Sequence, residues 1–111
     1  MIEGDEIPAR EVVAGLGALA QETRLAAFRR LLRAGAAGMP QGELARALSV
    51  PPQTLSFHLR LMSQAGIVSA QREGTTIRYA VDFASVRRLA RYLTESCCLD
   101  SRVRPARGRR S

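Results

Sequence analysis

The chain has 111 residues, 46% hydrophobic and 24% charged, which is the composition of one globular domain with a modest core. No apolar run approaches the roughly 18 residues of a membrane span, and the acidic, polar start MIEGDEIPAR is unlike a secretory signal or transit peptide. The net charge is +7 without a single lysine, and five arginines (Arg102, Arg104, Arg107, Arg109, Arg110) lie in the last ten residues, leaving 12 basic against 10 acidic side chains elsewhere.

From Pro8 to about Ala20, the apolar residues Val12, Val13, Leu16, Leu19 and Ala20 recur at helical spacing. Gly15 and Gly17 weaken this helix in isolation, so it is expected to depend on packing. A second helix, ETRLAAFRRLLRAG, places Leu25, Phe28, Leu31 and Leu32 on one stripe and ends at Gly35. AAGMP reads as a linker. QGELARALSV then forms a short helix with Leu44, Ala45 and Leu48 inward. Pro51 and Pro52 cannot continue it, but they can open the next helix, where a missing N–H costs little. In that helix, QTLSFHLRLMSQAG, Leu55, Leu59 and Met62 form the buried stripe, and Gly66 is the stop.

The period then changes. IVSAQREGTTIRYAVD contains two short β-prone runs around REGTT, a hairpin with Gly74 at its tip. A last helix from Phe83 to about Cys98 puts Phe83, Val86, Ala90 and Leu93 on one face. The fold class is therefore mainly α with a small β-hairpin. Residues 8–98 form the domain, 1–7 an extension, and 99–111 a basic tail expected to be disordered. Such a tail favours a polyanionic partner through general electrostatics, although a merely solvated tail reads the same way.

Two short helices joined by a tight break are the helix-turn-helix arrangement, whose second helix enters a DNA major groove. Outside its buried stripe that second helix carries Gln53, Thr54, Ser56, Phe57, His58 and Arg60, and no acid occurs from Leu44 to Gln71. Gln, Ser, Thr, His and Arg can meet base edges or phosphates, and no carboxylate repels the backbone. Arg72, Thr75, Thr76 and Arg78 on the hairpin supply a second set of donors, with Glu73 mildly opposed. His58, the only histidine, lacks partners at metal-ligand or catalytic spacing, so a DNA-contacting or helix-capping role is expected. No Gly-rich phosphate loop or nucleophile–base–acid set is present, which argues against an enzyme, including a thiol-based arsenate reductase.

ALAQETRL (18–25), GELARALSVPPQTLSFHLRLMSQAGIV (42–68) and REGTTIRYAV (72–81) resemble the ArsR/SmtB family of winged-helix repressors. That resemblance implies a winged helix-turn-helix homodimer formed through the first and last helices, binding double-stranded operator DNA and released by an inducer. It matches Gln53, Thr54, Ser56 and His58 to base-reading positions and Arg72 and Arg78 to the wing. Two family sensing sites are absent. Ala45 and Ala47 stand where arsenite-sensing members carry thiols, and only Asp82 remains at the start of the zinc-sensing site.

There remain Cys97 and Cys98, adjacent at the end of the last helix. Their Cα atoms are about 3.8 Å apart, below the roughly 4.4–6.8 Å of ordinary disulfides, and a reducing cytoplasm disfavours a vicinal bridge further. Adjacent thiolates can instead close around a larger soft centre, such as trivalent arsenic (arsenite or an organoarsenical) or antimony. Zinc would want about four ligands. The pair also resembles that of a family branch whose arsenic site lies at this helix end. No resident cofactor is expected. A third ligand could come from the partner subunit, a small thiol, water, or an arsenic–carbon bond. The competing readings are Cys97 as a core residue one turn after Leu93, and a regulator answering to thiol oxidation or a partner protein.

Overall fold

A computed structural model of the protein describes residues 7–99, with side chains through residue 95. Five helices and three strands follow in the order α1 (Ala9–Leu19), α2 (Glu22–Ala34), β1 (Met39–Pro40), α3 (Gln41–Leu48), α4 (Pro52–Gln64), β2 (Val68–Glu73), β3 (Thr76–Val81) and α5 (Phe83–Leu99). A 3-10 turn, Gly35–Ala37, separates α2 from β1. Residues 1–6 of the N-terminal extension and 100–111 of the basic tail, with the disorder expected of it, lie outside the described residues.

Local chemistry sets most boundaries. Gln21 caps α2 by accepting a 2.9 Å hydrogen bond from the Arg24 N–H. Gly35 ends that helix at φ +69 with its N–H on the Leu31 and Leu32 carbonyls. Past α4, Gly66 (φ +80) donates to the Ser63 carbonyl and Ile67 to that of Met62, the paired bonds of a Schellman ending. Asp82 caps α5 by accepting from the Ser85 N–H at 3.1 Å. Asp82, which the resemblance sets at the start of a zinc-sensing site, thus serves the backbone.

Leu31, Leu44, Leu55, Leu59 and Met62 are fully buried, and Phe28, Ile67, Val68, Tyr79, Val81 and Leu89 close around them. The α2, α3 and α4 stripes meet here over one face of the sheet. Fully burying a side chain of this kind contributes roughly 1.5–3 kcal/mol, so α4 is fixed chiefly by its Leu55–Leu59–Met62 face.

The segment expected to be a linker is partly structured. Met39 and Pro40 pair antiparallel with Tyr79 and Arg78, giving a sheet of order β1-β3-β2. Proline is tolerated because β1 is an edge strand. The close approach requires Gly38. It has φ +68, and a Cβ there would overlap the Tyr79 carbonyl oxygen and come within 2.9 Å of the Ala80 Cβ.

The expected stripes of the outer helices need correction. In α1 the inward residues are Val12, Gly15 and Ala18, whereas Val13 is 69% exposed and Leu16 also faces out. In α2, Ala27, Phe28 and Leu31 are buried, but Leu25 and Leu32 are exposed. In α5 Leu89 is buried and Phe83 and Val86 pack half-buried against the core, as expected, but Ala90 and Leu93 are exposed, with Tyr92 beside them. α1 and α5 are neighbours. A Cβ on Gly15 would stand 3.1 Å from Leu89 Cδ2, and Arg88 pairs with Glu11 at 3.3 Å. Each therefore turns one apolar face to the core and a second outward. Gly17 has no neighbour that would meet a Cβ, so packing does not explain it. Among the described residues no helix is long and apolar enough to cross a membrane.

Candidate nucleic-acid interface

The α3–α4 turn is built without glycine. Ser49 adopts the left-handed conformation (φ 56, ψ 44). Its N–H bonds the Arg46 carbonyl at 3.2 Å, and the Val50 N–H bonds that of Ala45 at 3.0 Å. Pro51 is then extended (ψ 140) and Pro52 begins α4, where no donor is missed. The Gln41 amide, at the start of α3, donates to the Pro52 carbonyl at 3.3 Å and ties the two helix N-termini together.

At 100° per residue, the direction opposite the Leu55–Leu59–Met62 stripe is occupied by Gln53, Phe57, Arg60 and Gln64, all exposed. Thr54 is exposed on one flank; Ser56 and His58 are half-buried. α1 covers the far end of this face, where Ala14, Gly17 and Ala18 line a crevice with Leu61, Gln64 and Ala65. The N-terminal half of α4 stays open, and it is this half of a recognition helix that contacts bases.

His58 is held by a residue 34 positions away. The Arg24 guanidinium donates from Nε to the Ala18 carbonyl at 2.8 Å and from Nη1 to His58 Nδ1 at 3.1 Å. A guanidinium has no acceptor, so Nδ1 must accept and the ring proton sits on Nε2. Burial first, and then the Arg24 charge, push the His58 pKa below 6.5, keeping the ring neutral near pH 7. The Phe57 ring meets the His58 ring edge-on, with centroids 5.6 Å apart and planes at 65°.

The wing is a two-residue hairpin, Gly74–Thr75, closed by the Glu73–Thr76 pair, with Gly74 at φ +64. Arg72, Thr75 and Thr76 are exposed, and Arg72 makes no ion pair among the described residues. Arg78 is committed to the protein. Its Nε contacts both Glu73 carboxylate oxygens at 3.1 and 3.2 Å, and its Nη1 donates to the Ala37 carbonyl at 3.2 Å. Glu73, expected to oppose a phosphate, is thereby neutralised.

A helix-turn-helix domain model matches residues 19–69. An ArsR-like transcriptional regulator from Rhodococcus sp. RHA1 is 29% identical over 85% of this chain and 86% of its own, with a TM-score of 0.74. The antimony-specific transcriptional repressor AntR is 31% identical over 83% of this chain and 82% of its own, with a TM-score of 0.62. The chain belongs to the ArsR family of winged-helix regulators. A homodimeric winged helix-turn-helix domain from Mycobacterium bovis, 21% identical, shares the fold over 87% of this chain and 89% of its own at a TM-score of 0.63. No curated protein sequence matches. Membership makes this a DNA-binding transcriptional regulator and not an enzyme.

In this ArsR-family chain the structure places Gln53 and Arg60 on the open face of α4 with Thr54 on its flank, and sets Arg72, Thr75 and Thr76 at the wing. Ser56 and His58 lie at the margin, and Arg78 acts as a brace. Sequence reasoning missed Arg24, for which no local signal exists, and passed over Phe57 because it sought polar readers. Cys97 and Cys98 fall within the last turns of α5, but their side chains lie outside the described residues. Among the described residues no three His, Cys, Asp or Glu side chains are grouped to hold a metal ion.

Proposed function

We propose that the chain is a homodimeric repressor that leaves its operator when trivalent arsenic or antimony binds Cys97 and Cys98. The observation that carries the DNA reading is the open, acid-free N-terminal half of α4, set opposite its buried stripe and beside an Arg72-bearing wing. In this reading Gln53, Thr54 and Arg60 meet base edges or phosphates, His58 offers its Nε2–H, and Arg72, Thr75 and Thr76 follow the backbone.

The dimer reading is supported by the outward apolar faces of α1 (Val13, Leu16) and α5 (Tyr92, Leu93), and by the homodimeric Mycobacterium bovis neighbour. The inducer reading is supported by the chemistry of two adjacent soft donors, one turn past Leu93 in the sequence, and by the antimony-specific repressor among the similar structures. Only about 1.4 kcal/mol of coupling between inducer and DNA gives tenfold release.

The test is fluorescence anisotropy of the full chain on the DNA upstream of its gene, titrated with arsenite, methylarsenite, antimonite and zinc, with Cys97→Ser/Cys98→Ser in parallel. Release of wild type but not of the variant by a trivalent arsenical or antimonite supports the thiol site. Tight binding that none of them relieves would refute it. Release by an oxidant alone would make the pair a redox sensor.

A further inference from the structure

The residue at the pole of the DNA-facing surface is not polar. Phe57 lies opposite the buried stripe of α4, is 51% exposed, and is the only large apolar side chain among the exposed residues of that helix. An isolated exposed phenylalanine is ordinary on a protein surface. This one differs in its support. Its ring stands edge-on to His58, which is held by Arg24, which is anchored on the Ala18 carbonyl. The ring is backed by a fixed partner, so less side-chain freedom is lost when a ligand covers it.

A phenyl group cannot donate or accept a hydrogen bond, and pressed against a polar base edge it strips water without replacing it. In the major groove of unmodified DNA one apolar group is available, the C5-methyl of thymine. We propose that Phe57 is a specificity-determining residue that selects thymine at one position of each operator half-site by packing on its methyl group. This rests on α4 entering the major groove. The flanking Gln53 and Arg60, about one turn either side, then read the neighbouring pairs through hydrogen bonds.

The experiment selects duplexes from a random pool with the full chain, then replaces each thymine of the selected site singly with deoxyuridine, which removes only the methyl. Wild type, Phe57→Ala and Phe57→Leu are compared by anisotropy, with thermal melts confirming that these variants at a half-exposed position stay folded. At one thymine per half-site, deoxyuridine should weaken wild type about fourfold, as expected for ~0.8 kcal/mol of lost apolar burial at ~1.4 kcal/mol per tenfold. Phe57→Ala should bind both duplexes equally, and Phe57→Leu should retain part of the preference. Placing 5-methylcytosine or cytosine there should reproduce the same methyl dependence in wild type alone. A selected site with no methyl-sensitive thymine, or a methyl effect that persists in Phe57→Ala, overturns the assignment. Failure of wild type to enrich any duplex would refute DNA reading by α4 itself, and the assignment with it.

Discussion

Replacing Arg24 with methionine keeps the aliphatic stem but removes the guanidinium that joins the Ala18 carbonyl (2.8 Å) to His58 Nδ1 (3.1 Å). Hydrogen bonds to a charged group contribute about 1.5–3 kcal/mol each when shielded. Arg24 is only half-buried, so water replaces part of both, and a total loss of about 1–2 kcal/mol is expected. For a domain of this size that lowers the melting temperature by about 5–15 °C. A second readout isolates the cause. His58 is the only histidine, so its ring signals can be followed through a pH titration without overlap. Without the Arg24 charge its pKa should rise, yet stay below 6.5 because burial remains. The ring nitrogens should also lose the strict Nε2–H tautomer of the wild type. An unchanged melting temperature together with an unmoved His58 titration would show that Arg24 does not hold the ring.

The depressed His58 pKa also sets a pH dependence. As pH falls through 6.5 the unfolded chain takes up a proton first, so stability, undiminished above that pH, declines until the lower folded-state pKa is passed. Denaturation curves across this window should show the decline in wild type and lack that part of it in His58→Gln. Gly35 and Gly38 both occupy a glycine-only region (φ +69, ψ −153 and φ +68, ψ −161). Gly35→Ala should cost about 1–3 kcal/mol in chemical denaturation. Gly38→Ala should exceed it by at least about 1 kcal/mol, because its Cβ also strikes the Tyr79 carbonyl; equal losses would remove β1–β3 contact as the cause. On the wing, Arg72→Ala should reduce the salt slope of operator binding by about 0.9, one phosphate contact, with little change in melting. Arg78→Ala should do the reverse, lowering the melting temperature, since its guanidinium braces Glu73 and the Ala37 carbonyl.

Where a helix has one apolar stripe, the sequence period identifies it. Leu55, Leu59 and Met62 were legible, and so was the face opposite them. The hairpin was legible because the Gly74 position demands positive φ. α1 and α5 were read only in part, with Val12, Phe83 and Val86 on the core as expected and Val13, Leu16, Ala90 and Leu93 outside it. Each helix has apolar residues on two sides, and periodicity cannot say which side meets the chain's own core. Val12 and Val13 are adjacent in sequence, yet one is buried and the other 69% exposed. β1 was hidden because its pairing depends on β3, some 40 residues away, and not on any propensity of Met39 or Pro40. The Arg24–His58 pair spans 34 residues and leaves no local trace. Thr54, Arg60, Arg72 and Arg78 were chosen by residue type alone, and type does not say that Arg78 pairs with Glu73, diagonally across the strand pair.

Arg24 also has a mechanical consequence. It fastens the last turn of α1 to the middle of α4, so the helix with the outward apolar face (Val13, Leu16) and the helix with the open polar face are linked within one protomer. In the proposed two-fold dimer each α4 would sit about 17 Å from the axis, half the ~34 Å between successive major grooves, so a tilt of about 5° at the subunit contact would displace it by ~1.5 Å. Hydrogen bonds to base edges tolerate only a few tenths of an ångström. In that dimer a small rotation between subunits would be enough, without bending of either protomer, to cost register on the duplex.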